Sequence, residues 1–95
     1  MRVLAIIDVA DGVDAAQVRP RLEQELRGSW TLYSAGTLRE AYATSLPTRV
    51  VFVLETASLD EAKAQLARLP LIASGALRFD LVELRPFVNW SLLFR

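Results

Sequence analysis

The stretch VVFVLETASLDEAKAQLARLPL, residues 50–71, decides the fold. Residues 49–56 carry the β-branched and aromatic content of a strand. Ser58-Leu59-Asp60-Glu61 follows with the pattern of a capping box, in which the serine hydroxyl accepts from the N3 amide and the glutamate reaches back to the cap amide. A helix is therefore expected from Leu59. Leu59, Ala62, Leu66 and Leu69 recur at spacings of three and four, which lays one buried stripe along it, and Pro70 is expected to stop it.

Working outward, residues 37–44 alternate as a strand, and Ser45-Leu46-Pro47-Thr48 supplies a short turn into the strand at 49–56, so the pair reads as a hairpin. Further upstream, Val18, Leu22, Leu26, Trp30 and Tyr33 form an apolar stripe at helical spacing. That helix is expected to run to about Ala35. Its regular part begins near Pro20, after an irregular or tighter first turn from Asp14, and Gly36 is placed as its left-handed terminator. Residues 2–8 are aliphatic and end before the turn signal Asp11-Gly12, giving the first strand. Residues 77–85 give the last, ahead of Pro86 and the aromatic tail FVNWSLLF.

The order β-α-β-β-α-β predicts an α+β, ferredoxin-like domain over residues 1–86, with an antiparallel four-stranded sheet carrying both helices on one face. Leu4 and Ile6 point opposite to Val3, Ala5 and Ile7, and Phe52 and Leu54 opposite to Val51 and Val53. Both faces of the central strands are apolar, and two helices cover one. The other face calls for a second sheet, so a homodimer, or a higher oligomer of dimers, is expected. The tail, residues 87–95, is too apolar to remain in water and is expected to dock on its own subunit or across the dimer.

Composition narrows the chemistry. Hydrophobic residues are 53% of the 95, and the 11 basic residues balance the 11 acidic ones, which leaves no field to recruit nucleic-acid backbones or acidic membranes. The RNP aromatic motif of RNA-binding ferredoxin-like sheets is missing too. With no cysteine and no histidine, thiol nucleophiles, iron–sulfur clusters, haem ligation and most zinc sites lack their residues. Asp8, Asp11 and Asp14 lack the remaining ligands and glycine of a calcium loop. The early aspartate and the shortness of every apolar run, against the ~20 residues of a span, point to a cytoplasmic protein.

Trp30-Thr31-Leu32-Tyr33-Ser34-Ala35-Gly36, then Val51-Phe52-Val53-Leu54-Glu55, LDEAKAQLARLPL and a strand ending at Arg85-Pro86 together resemble muconolactone isomerase and related small proteins of the dimeric α/β-barrel superfamily, YciI-like proteins among them. The likeness covers residues 30–86. It implies two ferredoxin-like subunits closing one barrel around paired pockets, without an organic cofactor. The superfamily also holds antibiotic-biosynthesis monooxygenases and haem enzymes. This chain has Arg85 where muconolactone isomerase carries a histidine before the proline, and Ile72 where it carries an aromatic after Leu-Pro-Leu; the His–Asp pair of YciI-like members has no histidine here.

Alternation groups Leu38, Glu40 and Tyr42 on one face of the hairpin and Arg39, Ala41 and Ala43 on the other. On the last strand Leu77, Phe79 and Leu81 should meet the helices, leaving Arg78 and Asp80 on the barrel side, where Glu40 and Tyr42 are also placed. Glu40 and Tyr42 are the candidate catalytic pair: a carboxylate in an apolar cavity can shuttle a proton while a phenol or guanidinium stabilises an enolate. Arg78, Asp80, Trp30 and Tyr33 are candidate binding residues for a small apolar or carboxylate-bearing metabolite. A structural reading stands beside this one: Glu40 and Arg78 as a cross-strand or interface ion pair, Trp30 and Tyr33 as core, and Glu55 as a solvated strand end.

Three functions remain open on this reading. The first is an isomerase resembling muconolactone isomerase, which moves a proton next to the carbonyl of a lactone or similar metabolite, with a cofactor-independent oxygenase as its variant. The second is a non-catalytic small-molecule-binding barrel. The third is a purely structural dimerisation unit with a filled interior.

Overall fold

The computed structural model describes residues 1–95. In chain order it contains β1 (Arg2–Val9), α1 (Ala15–Val18), α2 (Leu22–Ser34), β2 (Leu38–Ser45), β3 (Thr48–Glu55), α3 (Leu59–Ala67), α4 (Pro70–Ala73) and β4 (Leu77–Leu84). A 3-10 turn at Arg19–Arg21 joins α1 to α2, and a second one, Val88–Leu93, lies in the tail. The strands form one four-stranded sheet in the order β2-β3-β1-β4, with every neighbouring pair antiparallel. No helix is long and apolar enough to cross a membrane.

Local chemistry sets the boundaries. Asp14 caps α1, accepting from the Ala16 and Gln17 amides at 3.0 and 3.3 Å, and the Gln17 side chain in turn accepts from the Asp14 amide at 2.9 Å. Pro20, which has no N–H to donate, sits in the 3-10 turn, and Gly36 adopts φ 84° beyond the end of α2. Ser58 caps α3 by accepting from the Glu61 amide at 3.1 Å. Glu61 reaches one residue further back than a capping box requires and accepts from the Ala57 amide at 2.7 Å.

One face of the sheet carries the core. Val3, Ala5 and Ile7 of β1 lie beside Phe52 and Leu54 of β3, and this row packs under Leu32 of α2 and Ala62, Leu66 and Leu69 of the α3 segment. Leu77, Phe79 and Leu81 extend the layer from β4, on the helix side as expected. Val3, Leu54, Leu66 and Leu71 are completely buried. Each leucine removed from water in this way contributes about 1.5–3 kcal/mol before entropy is counted.

Three features depart from the sequence reading. α2 turns its expected apolar stripe outward: Leu22, Leu26, Trp30 and Tyr33 are all exposed, while Glu25 and Leu32 are buried. Close approach favours this facing: at Gly28 an added Cβ would lie 2.8 Å from Leu69 Cδ2, so any larger residue on this face would have to push the Leu69 side chain aside. Secondly, Leu38 and Glu40 do not share a face. A β-bulge at Arg39 shifts the register from Leu38↔Leu54 to Glu40↔Val53, which leaves Leu38 in the core and turns Glu40 to the opposite side. Thirdly, α3 ends at Ala67, ahead of Pro70 as expected, but a new helical turn follows at once. Proline takes the first position of a further short helix, α4, where a missing N–H costs nothing.

Candidate functional site

Register places the polar candidates on the helix-free face. Tyr42 pairs with Val51 and Glu40 with Val53, these valines lie opposite Ile6 and Leu4, and these in turn lie opposite Asp80 and Val82. The centre of this face is therefore Leu4, Ile6, Val51 and Val53, partly exposed because nothing in the chain covers them. Its two margins are polar. β2 and β4 lie at opposite edges, three strand steps of ~4.8 Å apart, or roughly 14 Å. Glu40 and Tyr42 are brought together, as are Arg78 and Asp80, but the two pairs are not. The cross-strand ion pair between Glu40 and Arg78 does not form.

At the β2 margin the Tyr42 hydroxyl donates to a Glu40 carboxylate oxygen, an i,i+2 contact along one face of the strand. That hydrogen bond, reinforced by the carboxylate's charge and by partial desolvation, raises the Tyr42 pKa above the ordinary phenol value.

At the β4 margin Asp8 takes the Arg49 guanidinium at 3.1 Å and the Arg78 guanidinium at 3.7 Å, and Arg78 also meets Asp80 at 3.4 Å. Two cations and two carboxylates so form a row across β3, β1 and β4. In water each exposed pair is worth about 0–1 kcal/mol. Asp8 and Asp14 are both engaged with protein partners, and no three potential metal-ligating side chains converge anywhere in the molecule. Glu55 is not simply solvated. The terminal ammonium at 2.7 Å and Arg2 at 3.0 Å hold it, and those hydrogen bonds lower its pKa below the usual carboxylate value.

Trp30 and Tyr33 are not core residues. Trp30 is 67% exposed, and its ring stacks on Tyr33 with centroids 5.4 Å apart. Together with Leu26 and Ser29 they form one wall of an open groove of about 600 Å³ whose floor includes Leu38 and Phe52 and whose other wall is β2 from Arg39 to Tyr42. The groove exists because β2 outreaches the helices: of its eight residues only Leu38 is buried. Arg39, which sequence reasoning passed over, fixes the bulge at the groove's end by donating from Nε to the Gly36 carbonyl at 2.6 Å.

A buried carboxylate was also missed. Glu25, 8% exposed, accepts from the Leu71 amide at 2.8 Å and thereby caps α4 from α2. Burial raises its pKa above the usual carboxylate value, and the Leu71 hydrogen bond opposes the rise. The available signal was the spacing Glu25-Gly28-Leu32, a helix face marked by a mid-helix glycine.

The chain matches no known protein-family model, and no curated protein is significantly similar to it.

Proposed function

We propose that this chain is one half of a cytoplasmic homodimer in which two ferredoxin-like subunits pack sheet to sheet and enclose a small-molecule pocket, and that the pocket transfers a proton next to the carbonyl of a lactone or similar metabolite, as muconolactone isomerase does. The observation that carries this is the helix-free face: an uncovered apolar centre of Leu4, Ile6, Val51 and Val53, bounded on one margin by Tyr42 hydrogen-bonded to Glu40. An apolar sheet face of this kind is normally closed by another sheet. Closure would place the Glu40–Tyr42 pair at the edge of a dry cavity, where carboxylate and phenol are strongest as base and donor.

The proton balance closes without a cofactor. Glu40 takes the proton from the carbon beside the carbonyl, the C–H electron pair becomes the enolate double bond, and the carbonyl oxygen takes the negative charge. Tyr42 turns its hydroxyl from Glu40 to that oxygen. The protonated Glu40 then returns the proton to another carbon of the conjugated system, so isomerisation involves no net oxidation.

The test has two stages. Light scattering over a dilution series should give a persistent dimer, and a Val53→Lys substitution on the helix-free face should weaken its self-association. A panel of lactones and aromatic acids is then screened for thermal stabilisation and turnover, with Glu40→Gln expected to abolish turnover while leaving the melting curve in place. A monomer at all concentrations refutes the enclosed pocket. Saturable binding with no product in any case removes the catalytic step and leaves a binding protein.

A further inference from the structure

The tail stands off the body. Every residue from Leu84 to Arg95 is exposed, and Phe87, Val88, Trp90, Leu92, Leu93 and Phe94 are between 58% and 84% accessible. Apart from an edge-on contact between the Phe87 and Trp90 rings, at 4.9 Å, these side chains find little to pack on. The shape records the same fact. The molecule measures 57 × 29 × 19 Å, with a radius of gyration of 15.2 Å, against about 12 Å for a compact chain of this length.

The same chain carries a recess of matching character. The groove between α2 and β2 exposes Leu26, Trp30 and Tyr33, the apolar stripe that the Gly28 contact turns away from the core. A protruding apolar arm and an unfilled apolar groove on one chain are complementary. No charged residue occurs from Phe87 to Phe94, so the arm enters such a groove without stranding a charge.

We infer that the arm of one copy, Phe87–Phe94, docks in the α2–β2 groove of a second copy, which returns its own arm. Area supports the pairing. Aromatic residues bury about 150–250 Å² each; scaled by their present exposure of 61%, 65% and 84%, Phe87, Trp90 and Phe94 from two arms remove about 600–1,000 Å² from the arms alone, and the groove walls add a comparable amount. That reaches the ~1,200–2,000 Å² of a stable specific interface. The groove opens on the helix side of the edge strand and the proposed sheet contact uses the opposite face; the two meet at Glu40 and Tyr42 of β2, and neither contact requires the other.

The absence of cysteine makes the test direct. Two single-cysteine chains, Ser29→Cys in the groove wall and Ser91→Cys in the arm, distinguished by tags of different mass, are mixed and mildly oxidised. The expected product is the mixed dimer, its disulfide joining the groove-wall thiol of one chain to the arm thiol of the other, in excess over both self-pairs. Statistical mixtures, self-pairs alone or no cross-link overturn the proposal. The doubly substituted chain at high dilution should not close on itself; a fast-migrating intramolecular disulfide places the arm on its own body and also overturns it. In the cysteine-free chain, Trp90→Ser with Phe94→Ser should weaken self-association at least about thirtyfold, as loss of hot-spot aromatics does, with unchanged circular dichroism. An unchanged association constant refutes arm docking. If the sheet-face Val53→Lys chain still forms the mixed cross-link, docking survives even where the enclosed pocket fails.

Discussion

Replacing Gly28 with alanine tests which face of α2 meets the core, and two opposing terms set the outcome. In a helix interior alanine is favoured over glycine by about 1 kcal/mol. Here the added Cβ falls 2.8 Å from Leu69 Cδ2, about 0.7 Å inside the ~3.5 Å at which carbon contacts become favourable. Leu69 is only 3% exposed, and its Cδ2 has to shift toward the recess it shares with Gly28, Thr31 and Gln65, an overpacking cost of about 1–3 kcal/mol. The net expectation is a loss of about 0–2 kcal/mol, with each 1 kcal/mol lowering Tm by roughly 4–8 °C in a domain of this size. Leu26→Ala is the companion, because Leu26 is 59% exposed and its truncation should cost well under the ~2–5 kcal/mol of a core leucine. Urea unfolding followed by circular dichroism, repeated across protein concentrations to separate folding from association, measures both. If Gly28→Ala gains about 1 kcal/mol while Leu26→Ala loses a full core leucine, the apolar stripe faces inward and the groove reasoning falls.

Other expectations are more local. Because burial raises the Glu25 pKa, the folded state binds its proton more tightly than the unfolded chain does. That contribution is fully present below the unfolded carboxylate pKa and is lost as pH rises through the folded value. Glu25→Gln keeps an acceptor for the Leu71 amide without the charge, so denaturation titrations should show a flatter pH slope and neutral-pH stability no lower than the parent's; a steeper slope would contradict the assignment. Glu25→Leu leaves the Leu71 amide without its partner and should cost about 1–3 kcal/mol. Glu40→Gln should bring the Tyr42 titration, followed by phenolate absorbance, back toward the ordinary value near 10, and an unmoved titration would break the Glu40–Tyr42 pair. Leu66→Ala, at a completely buried site beneath the sheet, should lose about 2–5 kcal/mol in urea unfolding.

Element type followed from the chain itself. The capping pattern at Ser58, the left-handed Gly36 and the alternation of Leu77, Phe79 and Leu81 depend on backbone groups and neighbours within a few residues, and such chemistry is visible in sequence. Facing was decided elsewhere. On α2 a good apolar stripe lost to the Glu25-Gly28-Leu32 face, where glycine lets Leu69 approach closely, a contact between α2 and the α3–α4 junction far apart in the chain. On β2 one extra residue at Arg39 separated Leu38 from Glu40, and simple alternation has no means of seeing a bulge.

The candidate site divides along the same line. That Glu40 and Tyr42 would be neighbours was legible from their i,i+2 spacing. That Arg78 and Asp80 would lie roughly 14 Å away across the sheet was a matter of strand order and spacing. Local hydrogen bonding and hydrophobic period determine which elements form, since their energies are settled within a turn or a strand pair. Which faces meet, and which apolar surfaces remain open for a partner, is set by steric fit between segments distant in the chain, and only the assembled structure supplies that fit.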